Sequence, residues 1–428
     1  MKTLVKNADV FDGREPKLQK NVNIVANDDI VTEISAGEIS EENFEQIIDA
    51  RGHVVIPGLT DAHVHLDGGP SQGVSMRIDE VAVRSVRFAY DMLLRGFTTV
   101  RDAGGIVYGL KKNIDNGYLD GPRIFPSHSF ISQTSGHGDS RESRASVRLF
   151  DHVYSSPNAN LGRSIICDGA AEVLRGVREN LFLGASQIKI MAGGGCSSIY
   201  DPIQTVQFTL EEMKAAVDAA SDFGTYVMAH LYTPASIQRA VKAGVKSLEH
   251  TNLMDDETGR IVADSGAYIM PGPQFGREYP KPDTSNMSKA EANEALKMSR
   301  KGDYVRAGEA AATEAVNKYD IPILFGTDSF GDPNRVDRCQ LDDFRFFKKR
   351  FGTWKGLRAA TGNINDLIKL TTYQNPYPDG KIGVLEEGSY ADLLIIDGDP
   401  TKDLDILADR NNIKLIMKGA KVYKNLLP

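Results

Sequence analysis

Pro57-Gly58-Leu59-Thr60-Asp61-Ala62-His63-Val64-His65-Leu66 is the stretch on which the reading of the chain turns. It follows an apolar run, Val54-Val55-Ile56, that predicts a buried strand. It then sets two imidazoles one residue apart. Side chains at i and i+2 of a strand share a face, so His63 and His65 project together, roughly 6–7 Å apart by strand rise. Imidazoles so placed suit one metal ion. Short motifs also match by chance, so the question is whether the rest of the chain brings further donors.

The chain has 428 residues, 41% hydrophobic and 25% charged, which supports a large core and argues against disorder. The formal net charge of -8 is unsuited to a nucleic-acid partner. No apolar run approaches the ~20 residues of a membrane span, so no membrane partner is expected. The start, Met1-Lys2-Thr3-Leu4-Val5-Lys6-Asn7, lacks the apolar segment of a signal peptide. Cys167, Cys196 and Cys339 are too widely spaced for a disulfide framework or a cysteine zinc site. The expectation is a cytoplasmic enzyme with a small-molecule substrate.

Residues 1–56 are rich in short strands, at Thr3-Leu4-Val5, Val22-Asn23-Ile24-Val25 and Ile30-Val31-Thr32-Glu33-Ile34, separated by turn residues. They predict a small antiparallel sheet. From Pro57 strands alternate with helical segments, the pattern of parallel strands with crossover helices. After the strand carrying His63 and His65 come candidates at 98–102, 123–127, 187–191, 226–230, 247–250, 268–271 and 323–328. Eight such units over 57–379 predict a (β/α)8 TIM-type barrel with insertions. The polar stretches 131–165 and 273–300 are the insertions expected to cover an active-site face. From 380 the chain is again β-rich, with Ala391-Asp392-Leu393-Leu394-Ile395-Ile396-Asp397, Ile413 to Met417 and Val422-Tyr423. Residues 380–428 are expected to join 1–56 in one small β-sandwich domain.

Polar residues recur at the C-terminal ends of the predicted barrel strands: His63, His65, Lys189, His230, His250 and Asp328. A barrel gathers strand ends on one rim however far apart they lie in sequence. Taken alone, each has an ordinary explanation. His230 could be a core histidine, His250 could pair with its neighbour Glu249, and Asp328 could cap a turn. Lys189 is harder to dismiss, because a lysine between Ile188 and Ile190 on a buried strand is costly unless paired or modified. The following Gly193-Gly194-Gly195 allows close backbone approach, and no Gly-Lys-Ser/Thr follows to suggest a phosphate loop.

These pieces together resemble the amidohydrolase superfamily of metal-dependent hydrolases. Pro57-Gly58-Leu59 running into His63-Val64-His65, then Lys189, His230, His250 and Gly326-Thr327-Asp328 carry the likeness, and Gly383 to Asp397 is similar to the family's closing segment. The resemblance implies two divalent ions, Zn2+ with Mn2+ or Co2+ as alternatives. His63, His65 and Asp328 would hold the more buried ion, His230 and His250 the other, and a carbamylated Lys189 would bridge them.

Thr98 to Gly105, Ser132-Gln133-Thr134-Ser135-Gly136-His137, Gln187 to Ala192 and His230-Leu231-Tyr232-Thr233-Pro234 resemble the prolidase-like, imidazolonepropionase-related group. Members cleave Xaa-Pro or related dipeptides and N-acyl amino acids, and some hydrolyse ochratoxin-type or other xenobiotic amides. The likeness implies that Tyr232 and His137 polarise the scissile carbonyl or hold the substrate. Leu231 stands where a smaller residue is expected, and with the glycine run it bears on pocket shape.

The expected chemistry is attack by a metal-bridging hydroxide, with Asp328 as base and then acid. Arg101, Arg141 and Arg144 are candidates to meet a substrate carboxylate. The alternatives are a lactone, carbamate or phenylurea-type hydrolase on the same centre, a non-catalytic scaffold, and a metal-free sugar or phosphate enzyme. A homo-oligomer is expected, as for many such barrels.

Overall fold

The computed structural model describes residues 1–68, 77–141, 157–198, 200–272, 281–329 and 333–427. Arg144, the side chain of Cys339 and much of the two insertions lie outside the described residues.

Five strands open the chain: β1 (Lys2–Val10), β2 (Gln19–Asn27), β3 (Ile30–Ala36), β4 (Gln46–Asp49) and β5 (Val54–Pro57). The barrel strands are β6 (Leu59–Val64), β7 (Phe97–Asp102), β8 (Arg123–Pro126), β9 (Phe130–Ser132), β11 (Ile188–Met191), β12 (Val227–Leu231), β13 (Ser247–His250) and β14 (Tyr268–Met270), with β10 (Ser164–Ile166) beside β9. Between and after them run α1 (Ile78–Leu93), α2 (Tyr108–Asp115), α3 (Pro157–Asn160), α4 (Ala170–Phe182), α5 (Leu210–Asp222), α6 (Pro234–Ala243), α7 (Asp256–Ser265), α8 (Lys289–Ala295), α9 (Lys297–Lys318), α10 (Pro333–Ala359) and α11 (Gly362–Ile368). β15 (Leu393–Ile396), β16 (Ile413–Lys418) and β17 (Lys421–Asn425) close the chain.

The amphipathic helices have clear local causes. Thr209 caps α5 in a reciprocal capping box with Glu212, and Thr233 caps α6, which has proline in its first turn and ends at Gly244 in the left-handed conformation. The strands between them pair in parallel, in the orders β6-β7-β8 and β10-β9-β11-β12-β13-β14. The third barrel strand comes in two pieces, β8 and β9, because His128 between them turns to φ 55°. The predicted eighth strand runs as an extended segment bonded on both sides. Leu324 N–H donates to Ile269 O at 2.8 Å, Ala62 N–H to Phe325 O at 2.7 Å, and Asp328 N–H to His63 O at 2.7 Å. This segment closes the barrel between β14 and β6.

Two details depart from the sequence reading. The apolar run Val54–Ile56 does not continue into the histidine strand. It forms β5, which pairs with β1 and β15, and the chain changes partners at Gly58. A Cβ on Gly58 would fall 2.0 Å from Thr98 Oγ1, so only glycine lets β6 start this close to β7. The terminal sheet is mixed and not purely antiparallel, since β1 pairs in parallel with β4 and β5. Its order is β17-β16-β15-β5-β1-β2-β3, so the strands of the two termini join in one sheet where β15 pairs with β5, as expected.

That composite sheet, the β-sandwich of the two termini, also anchors the barrel. Along β5 and β15, Val55, Leu393 and Ile395 face a core of their own with Val10, Ile24 and Leu415. The alternate residues Val54, Ile56, Leu394 and Ile396 join the barrel core around Phe97, Phe325 and Phe344. A polar tie adds to this. Arg123 of β8 donates to both oxygens of the buried Asp392, at 3.0 and 3.3 Å, while Gly419 N–H donates to the same carboxylate at 2.7 Å. Removing one partner of a buried ion pair leaves the other charge without compensation. Asp392→Ala is therefore expected to cost about 3 kcal/mol, read by urea denaturation; a change below about 0.5 kcal/mol, the range of an ordinary surface site, would contradict this role.

Candidate metal centre

The rim of the barrel brings together His63 from β6, His65 just beyond it, Lys189 from β11, His250 ending β13, and Asp328 of the closing segment. Asp328 Oδ1 lies 3.5 Å from His63 Nε2 and 3.3 Å from His65 Nε2, and Oδ2 lies 3.9 Å from His250 Nε2. One donor atom from each of His63, His250 and Asp328 can be chosen within 4.8 Å of one another. Lys189 Nζ is 3.3 Å from His63 Nε2. His230, next to last in β12, joins through its ring, with centroids 4.7 Å from His250 and 4.2 Å from His137. Tyr232 stacks on His250 at 5.3 Å, and its hydroxyl engages the buried Cys196 thiol. The structure thus places all eight sequence-predicted site residues around one end of the barrel.

The backbone is bent to achieve this. His250 has φ 79° and Asp328 φ 47°, both in the left-handed region that a non-glycine residue rarely adopts. Asp61, whose carboxylate accepts from Thr327 N–H at 3.1 Å, Thr327 Oγ1 at 2.6 Å and Gln340 Nε2 at 2.8 Å, ties β6 to the turn that carries Asp328. Burial pushes the Asp61 carboxyl up to about 6 despite those bonds.

Hydrogen bonds behind the rings determine which nitrogen faces the centre. His63 Nδ1 donates to Glu249 Oε2 at 2.7 Å, and His65 Nδ1 donates to the Gly104 carbonyl at 2.7 Å. Both rings therefore turn Nε2 toward Asp328; burial works against charge on His65, but the Asp328 carboxylate outweighs it and raises that ring above the ordinary imidazole value. His230 bonds the other way, with Nε2 3.2 Å from the Gly194 carbonyl, which leaves the lone pair on Nδ1. Burial, aided by the Lys189 ammonium, lowers His63 to about 4, and burial also holds His230 and His250 well below the ordinary imidazole value. All three are thus neutral, the ligating form. Burial opposes ionisation of Asp328, but the surrounding histidines outweigh it and hold its carboxyl far below the usual range. Burial lowers Lys189 to about 8. Three neutral imidazoles, His63, His230 and His250, with an ionised carboxylate in a buried cluster are a donor set for a divalent cation.

Two sequence readings change here. Glu249 does not pair with His250. Its carboxylate accepts from His63 Nδ1, from Arg101 Nη2 at 2.9 Å and from Ser247 Oγ at 2.6 Å. Arg101 is not placed to meet a substrate. It is 1% exposed and spends its donors on Ala62 O, Tyr226 Oη, Ser247 Oγ and Glu249. Arg141 pairs with Asp139 at 2.6 Å. The glycine run proves to be a packing device: a Cβ on Gly194 would meet Pro202 O at 2.0 Å, and one on Gly195 would strike the His137 ring at 1.9 Å.

The amidohydrolase family profile matches residues 54–423 of the chain. The chain belongs to the amidohydrolase family. A solved amidohydrolase is 33% identical with a TM-score of 0.87 and covers all of both chains. A solved prolidase, complexed with N-methylphosphonate-L-proline, is 31% identical with a TM-score of 0.87, over 99% of this chain and 100% of that one. Ochratoxinase of Aspergillus niger is 28% identical over 387 residues, 87% of this chain and 76% of its own length. This amidohydrolase is therefore of the prolidase-like kind, a hydrolase of carbon–nitrogen bonds. No helix among its described residues is long and apolar enough to cross a membrane.

Glu249→Gln tests the outer layer. A carboxamide can present N–H to His63 Nδ1, which moves the ring proton to Nε2 and blocks the ligating lone pair. Affinity for a divalent ion should fall about 10- to 100-fold, measured by competition with a chromophoric chelator. Unchanged affinity would show that Glu249 does not orient His63.

Proposed function

We propose that this chain is a binuclear metal-dependent amidohydrolase that cleaves a small amide, a dipeptide of the Xaa-Pro kind or an N-acyl amino acid. The observation that carries the reading is the convergence of His63, His65 and His250 on Asp328 beside Lys189, in a chain similar to a prolidase.

In this reading His63, His65 and Asp328 would hold one ion, His230 and His250 would hold the other, and a carbamylated Lys189 would be a ligand to both. Burial supports that modification, because an amine lowered to about 8 has a larger neutral fraction available to take up carbon dioxide, releasing a proton. Bound there, two Zn2+ ions, or Mn2+ or Co2+ in their place, supply an activated water and a Lewis acid for the scissile carbonyl.

The chain's own residues do the rest. The Asp328 carboxylate, ionised at neutral pH, takes the proton of the attacking water. It returns that proton to the amide nitrogen as the carbon–nitrogen bond breaks, so the amine leaves neutral. Tyr232 and His137 stand on the His230–His250 side, where they hold or polarise the carbonyl. A homo-oligomer and a cytoplasmic location remain part of the proposal.

A second reading, an aromatic xenobiotic amide as substrate, is favoured by the likeness to ochratoxinase over most of the chain. Assay of the purified enzyme on Xaa-Pro dipeptides, N-acyl amino acids, ochratoxin A, lactones and phenylureas separates the readings. The expected result is chelator-sensitive release of an amino acid from the first two classes. Turnover confined to ochratoxin A would favour the second reading, and turnover confined to lactones or phenylureas would overturn both. Asp328→Asn should lower kcat at least about 100-fold with the melting temperature retained; wild-type kcat would remove Asp328 from the proton path.

A further inference from the structure

A second layer of polar groups surrounds His137, contributed by the loop between β11 and α5 and by α9. The His137 backbone N–H donates to Gln207 Oε1 at 2.9 Å, and its ring stacks on His230 and packs against Gly195. Its Nδ1 lies 2.8 Å from Ser198 Oγ and 3.4 Å from Asp201 Oδ2. Asp201 is 2% exposed at its side chain and accepts from Gly195 N–H at 2.7 Å. Burial works against its ionisation, but His137 and Lys301 outweigh burial and hold the carboxyl at about 2. The loop itself is clamped from α9. Lys301 Nζ donates to the carbonyls of Gly195 at 3.0 Å, Ser198 at 2.7 Å and Asp201 at 2.6 Å, and lies 3.6 Å from Asp201 Oδ1.

An ionised carboxylate only accepts hydrogen bonds, so the imidazole nitrogen that faces it is the one that carries the proton. We propose that Asp201 is a positioning residue for hydrolysis: acting on Nδ1 with Ser198, it holds the plane and tautomer of His137 so that Nε2 is presented to the substrate, and Lys301 holds the loop that carries Asp201. The inference rests on the reading of the chain as an amide hydrolase with His137 at the substrate. It assigns a purpose to two charged residues that are not themselves among the proposed metal donors. Gly195 fits the same scheme, since any larger residue would displace the ring.

The test has a structural and a kinetic arm. In metal-free protein labelled with 15N-histidine, the wild-type His137 resonances should report a protonated Nδ1, and Asp201→Asn should shift them toward the other tautomer. In metal-loaded enzyme acting on an Xaa-Pro dipeptide, Asp201→Asn should lower kcat roughly 10- to 100-fold with KM changed less than about threefold. The double variant Asp201→Asn with His137→Ala should be no slower than His137→Ala alone. An unshifted 15N spectrum, wild-type kcat, or losses that multiply in the double variant would overturn the proposal. Should Asp201→Asn not fold, Lys301→Met serves, with the same expected loss of kcat and its disappearance in the His137→Ala background; wild-type kcat there would count against it. If His137→Ala keeps full activity, the role of His137 in the reading fails and Asp201 falls with it. An impaired His137→Ala beside an unimpaired Asp201→Asn defeats the positioning role alone.

Discussion

The Asp328 carboxylate is carried into a buried barrel end, where the Nε2 atoms of His63, His65 and His250 lie 3.3 to 3.9 Å away. An isolated charge there would be prohibitive, so the carboxylate and the imidazoles depend on one another. The same residue closes the fold, since Asp328 N–H donates to His63 O at 2.7 Å. The segment that closes the barrel is therefore also the one that brings Asp328 to the donor cluster. Any change that loosened the closing segment would open the ring and scatter the donors together.

Behind this cluster each charge has an answering one. Glu249 stands between the His63 ring and the Arg101 guanidinium, and Arg101 reaches Ala62, Tyr226 and Ser247 on neighbouring strands. This network spends burial energy on orientation. It holds the His63 tautomer that leaves Nε2 free to ligate, and it gives the barrel interior a rigid polar floor. Around His137, Asp201 and Lys301 repeat the arrangement, a carboxylate beside the ring and an ammonium beside the carboxylate. The composite sheet of the two termini contributes at a distance, packing one face of β5 and β15 against the barrel core.

The parts legible in sequence were those with a period. His63 and His65 follow the twofold alternation of a strand. His230, His250 and Asp328 each end an apolar run, and Lys189 interrupts one, so barrel logic alone sends them to one rim. Arg101 obeys the same rule as Lys189, a cation between Val100 and Asp102 on a buried strand, and the cost argument applied to Lys189 would have placed it inside. Adjacency offered Glu249 as an ordinary partner for His250, whereas strand alternation points neighbours apart. Asp201, Ser198 and Lys301 carried no signal: they sit on an aperiodic loop and a helix about a hundred residues later. β10 was hidden because it is a strand of three residues inside a polar stretch.

The central proposal is that the six donors would hold two ions, with Lys189 a ligand to both. Anomalous diffraction from crystals of the zinc-loaded protein, recorded on both sides of the zinc edge, tests it most directly. The account predicts two peaks, one among His63, His65 and Asp328 and one beside His230 and His250, with density extending from Lys189 Nζ between them. A single peak, or none, with an unmodified Lys189 would contradict it.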